Sequence, residues 1–281
     1  MSRAEHLVTA RDLRAAAGAP VVLDVRWRLA DPPGAGRQRY AVGHLPGARF
    51  LDLELVLTRH ADDPRDGRHP LPDVATLERG LGAAGVDPGE DVVVYDEPGS
   101  WAAARAWWVL RWAGIRARVL DGGLPAWGAS GGRLEVGSDV SWTATEPRLT
   151  VGHLTTLTID EAAQWPSGGM LVDARAPERY RGEVEPVDPR AGHIPGAVNL
   201  PAVDLVTEEG RLPPDDVLRE RLGELTGGGA VAAYCGSGVS AAQHVLALAV
   251  LEVDAALFPG SWSAWSNDPR RPAATGPGAG G

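Results

Sequence analysis

Short apolar runs alternate with helix-like segments along the whole chain. Runs rich in Val, Leu and Ala predict strands, and longer segments bounded by capping and stop residues predict helices. This alternation favours an α/β fold, in which a mostly parallel central sheet is flanked by helices and catalytic loops follow the strands. In the N-terminal half the predicted strands are 21–25, 92–95 and 117–120, and the predicted helices are 76–84 and 102–112.

The same blocks occur twice, in the same order. Each half has an Asp-x-Arg block, a Gly-His-hydrophobic-Pro-Gly-Ala block, an apolar strand block and a block ending in Ala-Trp. Four matches in order indicate two copies of one domain. The pairs are 22–27 with 171–176, 42–48 with 191–197, 92–96 with 230–235, and 120–127 with 258–265.

The repeat predicts the domain boundaries. We expect a first domain at 1–135, a polar, glycine-containing linker at 136–154 and a second domain at 155–272. The Gly-, Pro- and Ala-rich tail at 273–281 is typical of a disordered segment.

Charge, hydropathy and cysteine content limit the binding partners and the cellular compartment that we expect. The formal net charge is −10, which argues against nucleic acid as the main partner. No apolar run is long enough to cross a bilayer, and the N-terminus lacks a signal-peptide pattern. A single cysteine cannot form an internal disulfide, which fits a reducing cytoplasm. No metal, flavin or nucleotide motif is present, so no cofactor is expected.

The one cysteine, Cys235, lies between a predicted strand at 230–234 and a predicted helix at 240–251. Backbone N–H groups at such a junction favour negative charge, and therefore the thiolate, which is the nucleophilic form. A lone cysteine is often a buried structural residue. However, Gly236 and Gly238 directly after a core strand favour a loop that curls around the sulfur.

Together these blocks resemble the two-domain rhodanese sulfurtransferases, which include thiosulfate and 3-mercaptopyruvate sulfurtransferases. The resemblance implies two tandem rhodanese-like domains and a ping-pong reaction through a cysteine persulfide. The first copy has Asp96 in place of Cys235, so we expect it to be catalytically silent. The implied partners are a small-molecule sulfur donor and cyanide or a thiol as acceptor, with thioredoxin as a candidate.

The loop after the cysteine bears on the choice of donor. Thiosulfate enzymes are similar to Cys-Arg-Lys-Gly-Val-Thr, whose cations hold a sulfonate. Here Gly236 and Ser237 are uncharged, and the sequence through Gly238, Val239 and Ser240 resembles the mercaptopyruvate type. The resemblance therefore implies 3-mercaptopyruvate as the main donor and thiosulfate as a weaker one, with the reverse preference as the alternative.

The resemblance also implies residues that bind the donor. Arg179 matches an arginine that the family uses to hold mercaptopyruvate, and bidentate capture of a carboxylate suits arginine. Arg190 is the nearest match to a second family arginine, although the segment is shorter here. For Arg190, a solvated surface position is an equal alternative.

A serine, a histidine and a carboxylate are implied near the thiol. Ser237 is the serine, and His69 matches a family histidine contributed by the first domain. In the family the carboxylate is an aspartate. Glu54 aligns with that position and would supply a carboxylate on a longer side chain. The implied task of this set is to polarise the donor's carbonyl or to protonate the leaving enolate.

Several residues that repeat in both copies are better explained by structure. Because both copies keep the histidine of the Gly-His block, His44 and His193 are predicted to be structural. The repeated Asp and Arg residues are expected to make contacts at strand ends. Three tryptophans are expected either to line a cleft or to pack in the core; they are Trp27, Trp101 and Trp262.

Two other classes of protein are alternatives to a sulfurtransferase. A cysteine phosphatase or arsenate reductase needs an arginine closing a Cys-x5-Arg loop, where this chain has Ala241. A non-catalytic binding or redox-sensing module remains the alternative from another class. It is disfavoured because the second copy keeps its cysteine and because a sensor would gain from a resolving cysteine.

Overall fold

The computed structural model describes residues 2–16, 18, 20–137 and 141–279. Within that part the chain forms two compact units, each built around its own sheet. The first unit comprises the described residues of Met1–Arg59, Pro72–Leu154 and Thr207–Leu212. The second comprises His60–Leu71, Thr155–Val206 and the described residues of Pro213–Gly281.

The first unit has a five-stranded sheet in which every adjacent pair is parallel, in the order β1-β5-β4-β2-β3. Its strands are β1 (Leu7–Val8), β2 (Val21–Asp24), β3 (Arg49–Phe50), β4 (Asp91–Tyr95) and β5 (Arg116–Leu120). Its helices are α1 (Ala10–Ala15), α2 (Ala35–Val42), α3 (Leu53–Val56), α4 (Val74–Ala83), α5 (Ala102–Trp112) and α6 (Gly123–Ala129), with a 3-10 turn at Arg3–Glu5.

The second unit has a four-stranded parallel sheet in the order β7-β6-β8-β9. Its strands are β6 (Gly169–Asp173), β7 (Val198–Asn199), β8 (Ala230–Tyr234) and β9 (Ala255–Leu257). Its helices are α7 (Ile159–Gln164), α8 (Pro177–Tyr180), α9 (Asp215–Leu222), α10 (Ala241–Val250) and α11 (Ser261–Asn267). Its 3-10 turns are Pro64–Asp66, Trp165–Ser167, Ala202–Leu205 and Gly223–Thr226.

The two sheets repeat one another, as the sequence blocks predicted. Thr156 pairs with Leu257 in a parallel bridge, and so occupies the position that β1 has in the first sheet. The central strands β4 and β8 are nearly continuous apolar runs because helices cover both faces of a parallel sheet. The predicted α/β fold with two repeated domains is confirmed.

A buried network at the strand ends is present in both units. In the second unit, Arg175 forms a bidentate pair with Asp173 and donates to the Gly192 carbonyl at 2.6 Å. His193 stacks on Tyr180 with 3.7 Å between ring centroids, and its Nδ1 lies 2.8 Å from the Tyr180 carbonyl. The first unit makes the equivalent contacts through Arg26 with Asp24 and through His44 with Tyr40. The histidines are therefore structural, as their repetition predicted.

The compact units differ from the predicted boundaries at two segments. Residues His60–Leu71 pack with the second unit although they precede the linker in sequence, and Thr207–Leu212 pack with the first. In the first case Gly67 fits closely against Gly260, because a Cβ at Gly67 would lie 2.7 Å from the Gly260 carbonyl oxygen. The location of His60–Leu71 decides which unit carries His69.

The predicted linker and tail also differ from expectation where they are described. Residues 141–154 belong to the first unit, and within them the Thr145 N–H donates to the Gly82 carbonyl at 3.0 Å. Positions 138–140 lie outside the described residues. In the tail, Ala274 forms an antiparallel bridge with His193, and the Gly276 N–H donates to the Arg181 carbonyl. These bonds satisfy backbone groups that would otherwise be unpaired, so 273–279 is ordered despite its composition. Positions 280–281 lie outside the described residues.

Aromatic side chains supply much of both cores. Trp262 is fully buried in the second core with Trp265, Tyr234 and Phe258, so the core alternative is correct for Trp262. Trp27 instead lines a cavity of about 400 Å³ in the first unit. Among the described residues, none of the helices is both long and apolar enough to span a bilayer.

Candidate active site

The thiol of Cys235 lies at the carboxyl end of β8, one of the two inner strands of the second sheet. Its sulfur accepts a hydrogen bond from the Gly238 N–H at 3.1 Å, and the residue is 2% exposed. Gly238 has φ +78°, a conformation that favours glycine, and this turn brings its N–H to the sulfur. Val239 and Ser240 follow and lead into α10. The loop therefore stabilises negative charge on the sulfur.

Helix α11 holds the cysteine loop from behind. The Trp262 and Ser263 N–H groups donate to the carbonyls of Cys235 and Gly236 at 2.9 and 2.8 Å. The buried Ser261 hydroxyl accepts from the Cys235 N–H at 3.1 Å and donates to the Phe258 carbonyl at 2.9 Å. Ser261 has φ +53°, which is strained for a residue with a Cβ. Its counterpart in the first copy is Gly123, also at φ +53°.

The segment His60–Leu71 brings the side chains of Arg68 and His69 to this loop. The Arg68 N–H donates to the Ser263 hydroxyl at 3.1 Å, which ties the segment to α11. The next residue, His69, is buried, and its Nδ1 lies 2.7 Å from the Ser237 hydroxyl oxygen. The expected pairing of Ser237 with His69 therefore occurs, but within the second unit rather than across from the first.

Arg179, in α8, is held by two carboxylates. Its Nη2 donates to Glu185 at 2.7 Å and to Asp188 at 3.2 Å, and Nε donates to Glu185 at 3.3 Å. Burial opposes the ionisation of Glu185, but the hydrogen bond from Arg179 keeps the pKa of that carboxyl below its ordinary value. A Cβ placed on Gly236 would lie 3.5 Å from the Arg179 Nη1, so this guanidinium faces the cysteine loop.

Arg68 is a second guanidinium at the same place, and sequence reasoning missed it. Its Nη1 donates to Asp188, and its Nη2 would lie 3.0 Å from a Cβ on Gly236. Burial raises the pKa of Asp188, whereas Arg68 and Arg179 act in the opposite direction. The signal was present in the sequence, because Arg68 precedes His69, which was already expected at this loop.

Arg190 makes its hydrogen bonds to backbone carbonyls of the second unit. Its guanidinium donates to the carbonyls of Trp265, Ser266, Asp268 and Arg271 at 2.8–2.9 Å. The carbonyls of Trp265, Ser266 and Asp268 lie at the end of α11, where the last turn of a helix leaves acceptors without intrahelical partners. Arg190 therefore caps α11 and does not lie at a solvated surface position, and its role in donor binding stays a prediction.

Glu54 lies in the first unit, in the first turn of α3. Its carboxylate accepts a hydrogen bond from the Trp27 indole N–H at 2.8 Å. The neighbouring Asp52 caps the same helix by accepting from the Glu54 N–H. The role of Glu54 as a partner of His69 stays a prediction.

Asp96 occupies the position of Cys235 in the first unit. Its carbonyl accepts from the Leu124 N–H at 2.9 Å, as the Cys235 carbonyl does from Trp262. Its carboxylate accepts from the Ala103 N–H at 2.9 Å, and desolvation raises the pKa of Asp96 to about 7. A carboxyl group there cannot carry a sulfur atom, which fits the expectation of a silent first copy.

The rhodanese-like domain family matches residues 9–130 and 158–268, which together span both units. The chain belongs to the rhodanese family. Each match includes one strand-end network and one loop after a central strand, and the second includes Cys235.

The similar proteins are named as sulfurtransferases of either thiosulfate or 3-mercaptopyruvate. A putative thiosulfate sulfurtransferase of Mycobacterium tuberculosis is 48% identical over 98% of this chain and 99% of its own length. A probable 3-mercaptopyruvate sulfurtransferase of Pseudomonas aeruginosa is 45% identical over 98% of this chain and all of its own. SseA, a 3-mercaptopyruvate sulfotransferase of Escherichia coli, has a crystal structure that matches with a TM-score of 0.76 and 32% identity, over 91% of this chain and 98% of that one.

Ser261 offers a test of how this rhodanese loop is held. Ser261→Ala leaves the buried Cys235 N–H without its acceptor and keeps the φ strain, so we expect a loss of about 1–3 kcal/mol in the free energy of unfolding. Ser261→Gly also removes the acceptor, but it relieves the strain at φ +53°. Its loss in the free energy of unfolding should therefore be about 1 kcal/mol smaller than that of Ser261→Ala. Urea unfolding of both variants measures the difference. Equal stability of Ser261→Ala and the wild type would contradict this account of the loop.

Proposed function

We propose that the protein transfers a sulfane sulfur from 3-mercaptopyruvate, through a persulfide on Cys235, to cyanide or to a thiol acceptor such as thioredoxin. The observation that carries the proposal is the Cys235 sulfur beneath the Gly238 N–H, with Arg179 beside the same loop. The reducing cytoplasm expected from the sequence fits a reactive thiol of this kind.

The first half-reaction forms the persulfide. The Cys235 thiolate attacks the sulfur of 3-mercaptopyruvate, an S–S bond forms, and the C–S bond breaks with its electron pair leaving on carbon. The leaving group is the enolate of pyruvate, which takes up one proton to give pyruvate. The persulfide is itself an anion at neutral pH, so the Gly238 N–H favours it as it favours the thiolate.

Ser237 and His69 have the geometry to handle that proton. Their 2.7 Å contact permits proton transfer between the hydroxyl and the ring. Ser237 is two residues from the sulfur on the same loop, so its hydroxyl is the group of the pair that we assign to the donor's carbonyl or enolate. His69 then restores the proton on Ser237.

The second half-reaction returns the enzyme to its starting state. Cyanide attacks the outer sulfur of the persulfide, the S–S bond breaks, and thiocyanate leaves together with the Cys235 thiolate. With a dithiol acceptor the outer sulfur leaves as hydrosulfide, and the acceptor becomes a disulfide. No outside oxidant is needed, because the donor supplies sulfur at the oxidation level that the acceptor takes.

Thiosulfate is the second candidate donor, and one observation favours it. Arg68 adds a cation that the loop sequence lacks, and Arg68 and Arg179 both approach Gly236. With thiosulfate, sulfite leaves as a stable anion and needs no proton. We still assign 3-mercaptopyruvate as the main donor, because both guanidinium groups are already paired with carboxylates.

Steady-state kinetics with both donors and cyanide tests the donor assignment. We expect a higher kcat/KM with 3-mercaptopyruvate than with thiosulfate, and no activity with either in Cys235→Ser. Arg179→Gln should lower kcat/KM for 3-mercaptopyruvate by about tenfold or more, because it removes bidentate capture of the carboxylate. A tenfold or greater preference for thiosulfate would overturn the donor assignment and leave the persulfide mechanism in place.

The proton relay makes a separate prediction. His69→Asn and Ser237→Ala should each lower kcat with 3-mercaptopyruvate by about a hundredfold, the size of one general acid or base. Both variants should keep most of their thiosulfate activity, because sulfite leaves unprotonated. Equal losses with the two donors would mean that the pair supports the loop rather than the leaving group.

A further inference from the structure

One residue of α11, Ser263, holds both segments that carry the Ser237–His69 pair. Its backbone N–H donates to the Gly236 carbonyl at 2.8 Å, and its hydroxyl accepts from the Arg68 N–H at 3.1 Å. Gly236 directly precedes Ser237, and Arg68 directly precedes His69. Ser263 therefore fixes the backbone one residue before each member of the pair.

The Ser263 hydroxyl is itself oriented by a second hydrogen bond. The residue is 1% exposed, and its hydroxyl donates to the Gly260 carbonyl at 3.1 Å. Because the single O–H is used there, the oxygen presents its lone pairs to the Arg68 N–H. The Gly260 carbonyl also accepts from the Ala264 N–H at 3.0 Å, so it stays satisfied when the hydroxyl is removed.

A close fit at Gly67 brings the same segment against the start of α11. Gly67 has φ +87°, a conformation that favours glycine. A Cβ there would lie 2.7 Å from the Gly260 carbonyl oxygen and 3.1 Å from the Ser263 hydroxyl oxygen. The segment therefore meets α11 directly before His69, and the bond from Arg68 to Ser263 fixes its position at that contact.

We propose that Ser263 is a positioning residue for the proton relay: it holds Ser237 and His69 at the 2.7 Å separation that proton transfer needs. The inference rests on the proposed function, because the relay serves the leaving group of 3-mercaptopyruvate. The two residues are 168 positions apart in sequence, so tertiary contacts have to set their geometry. A misplacement of about 1 Å in such a pair costs about a hundredfold in rate.

Ser263→Ala tests the role because it removes the hydroxyl and keeps the N–H that donates to Gly236. We expect kcat with 3-mercaptopyruvate to fall about tenfold, because the Arg68 N–H loses its acceptor and His69 is held less firmly. KM for that donor and kcat/KM for thiosulfate should stay within about twofold of the wild type, since sulfite leaves unprotonated. Steady-state kinetics with both donors and cyanide measure the difference.

Ser266→Ala is the matched control. Ser266 lies on the same helix and is 3% exposed, and within the described part of the chain its hydroxyl makes no hydrogen bond. The variant removes a buried hydroxyl of the same size, so it should leave kcat with both donors unchanged. A tenfold loss in Ser266→Ala would contradict a specific role for the Ser263 hydroxyl.

Gly67→Ala is a second, independent variant. Its Cβ would meet the Gly260 carbonyl oxygen and displace the segment from α11, so we expect the same selective loss of kcat with 3-mercaptopyruvate. Equal losses with the two donors in a folded Gly67→Ala protein would contradict the link between this contact and the relay.

The double variant His69→Asn with Ser263→Ala decides whether the serine acts through the histidine. Without His69 no relay is left to position, so adding Ser263→Ala should change kcat with 3-mercaptopyruvate by less than about twofold. A tenfold loss in both backgrounds would overturn the proposal, as would a wild-type kcat in Ser263→Ala or equal losses with the two donors. In each of these cases Cys235 still gains and releases sulfur, whereas failure of the proposed function leaves the wild type unmodified by either donor.

Discussion

One hydrogen bond, from the Gly238 N–H to the sulfur of Cys235, is the contact on which the site depends. A thiol at this depth gains little from water, so the stabilisation of its anion must come from the protein. The bond requires the left-handed turn at Gly238 and a loop whose carbonyls point away from the sulfur. Trp262 and Ser263 of α11 meet that second requirement by donating to the carbonyls of Cys235 and Gly236.

Comparison of the two copies separates the contacts that both share from the residues that only the second copy has. Both copies have the buried Asp–Arg pair, the histidine stacked on tyrosine and the carbonyl-to-amide contact after the central strand. Only the second copy has a thiol, and it also has a serine where the first has glycine at φ +53°. A strained, buried Ser261 therefore accompanies the thiol, as strain often does at functional sites.

Local sequence predicted most of the fold and the centre of the site. The strands before Asp96 and Cys235, helix α5 and the loop around Gly238 all follow from apolar runs and glycine placement, which are local signals. The contacts of Arg190 could not be predicted from local sequence, because they depend on where α11 ends, and that is a tertiary property. Arg68 was missed for the same reason, since its segment packs with residues almost two hundred positions later. The tail appeared disordered by composition, yet its backbone pairs with His193.

The proposed sulfur transfer requires above all that Cys235 carry a sulfur atom between two half-reactions. Intact-mass measurement and peptide mapping after exposure to 3-mercaptopyruvate, with no acceptor present, test this directly. We predict a mass gain of one sulfur atom, located on Cys235 and removed when cyanide is added. A protein that stays unmodified with 3-mercaptopyruvate and with thiosulfate, or that gains sulfur at another residue, would contradict it.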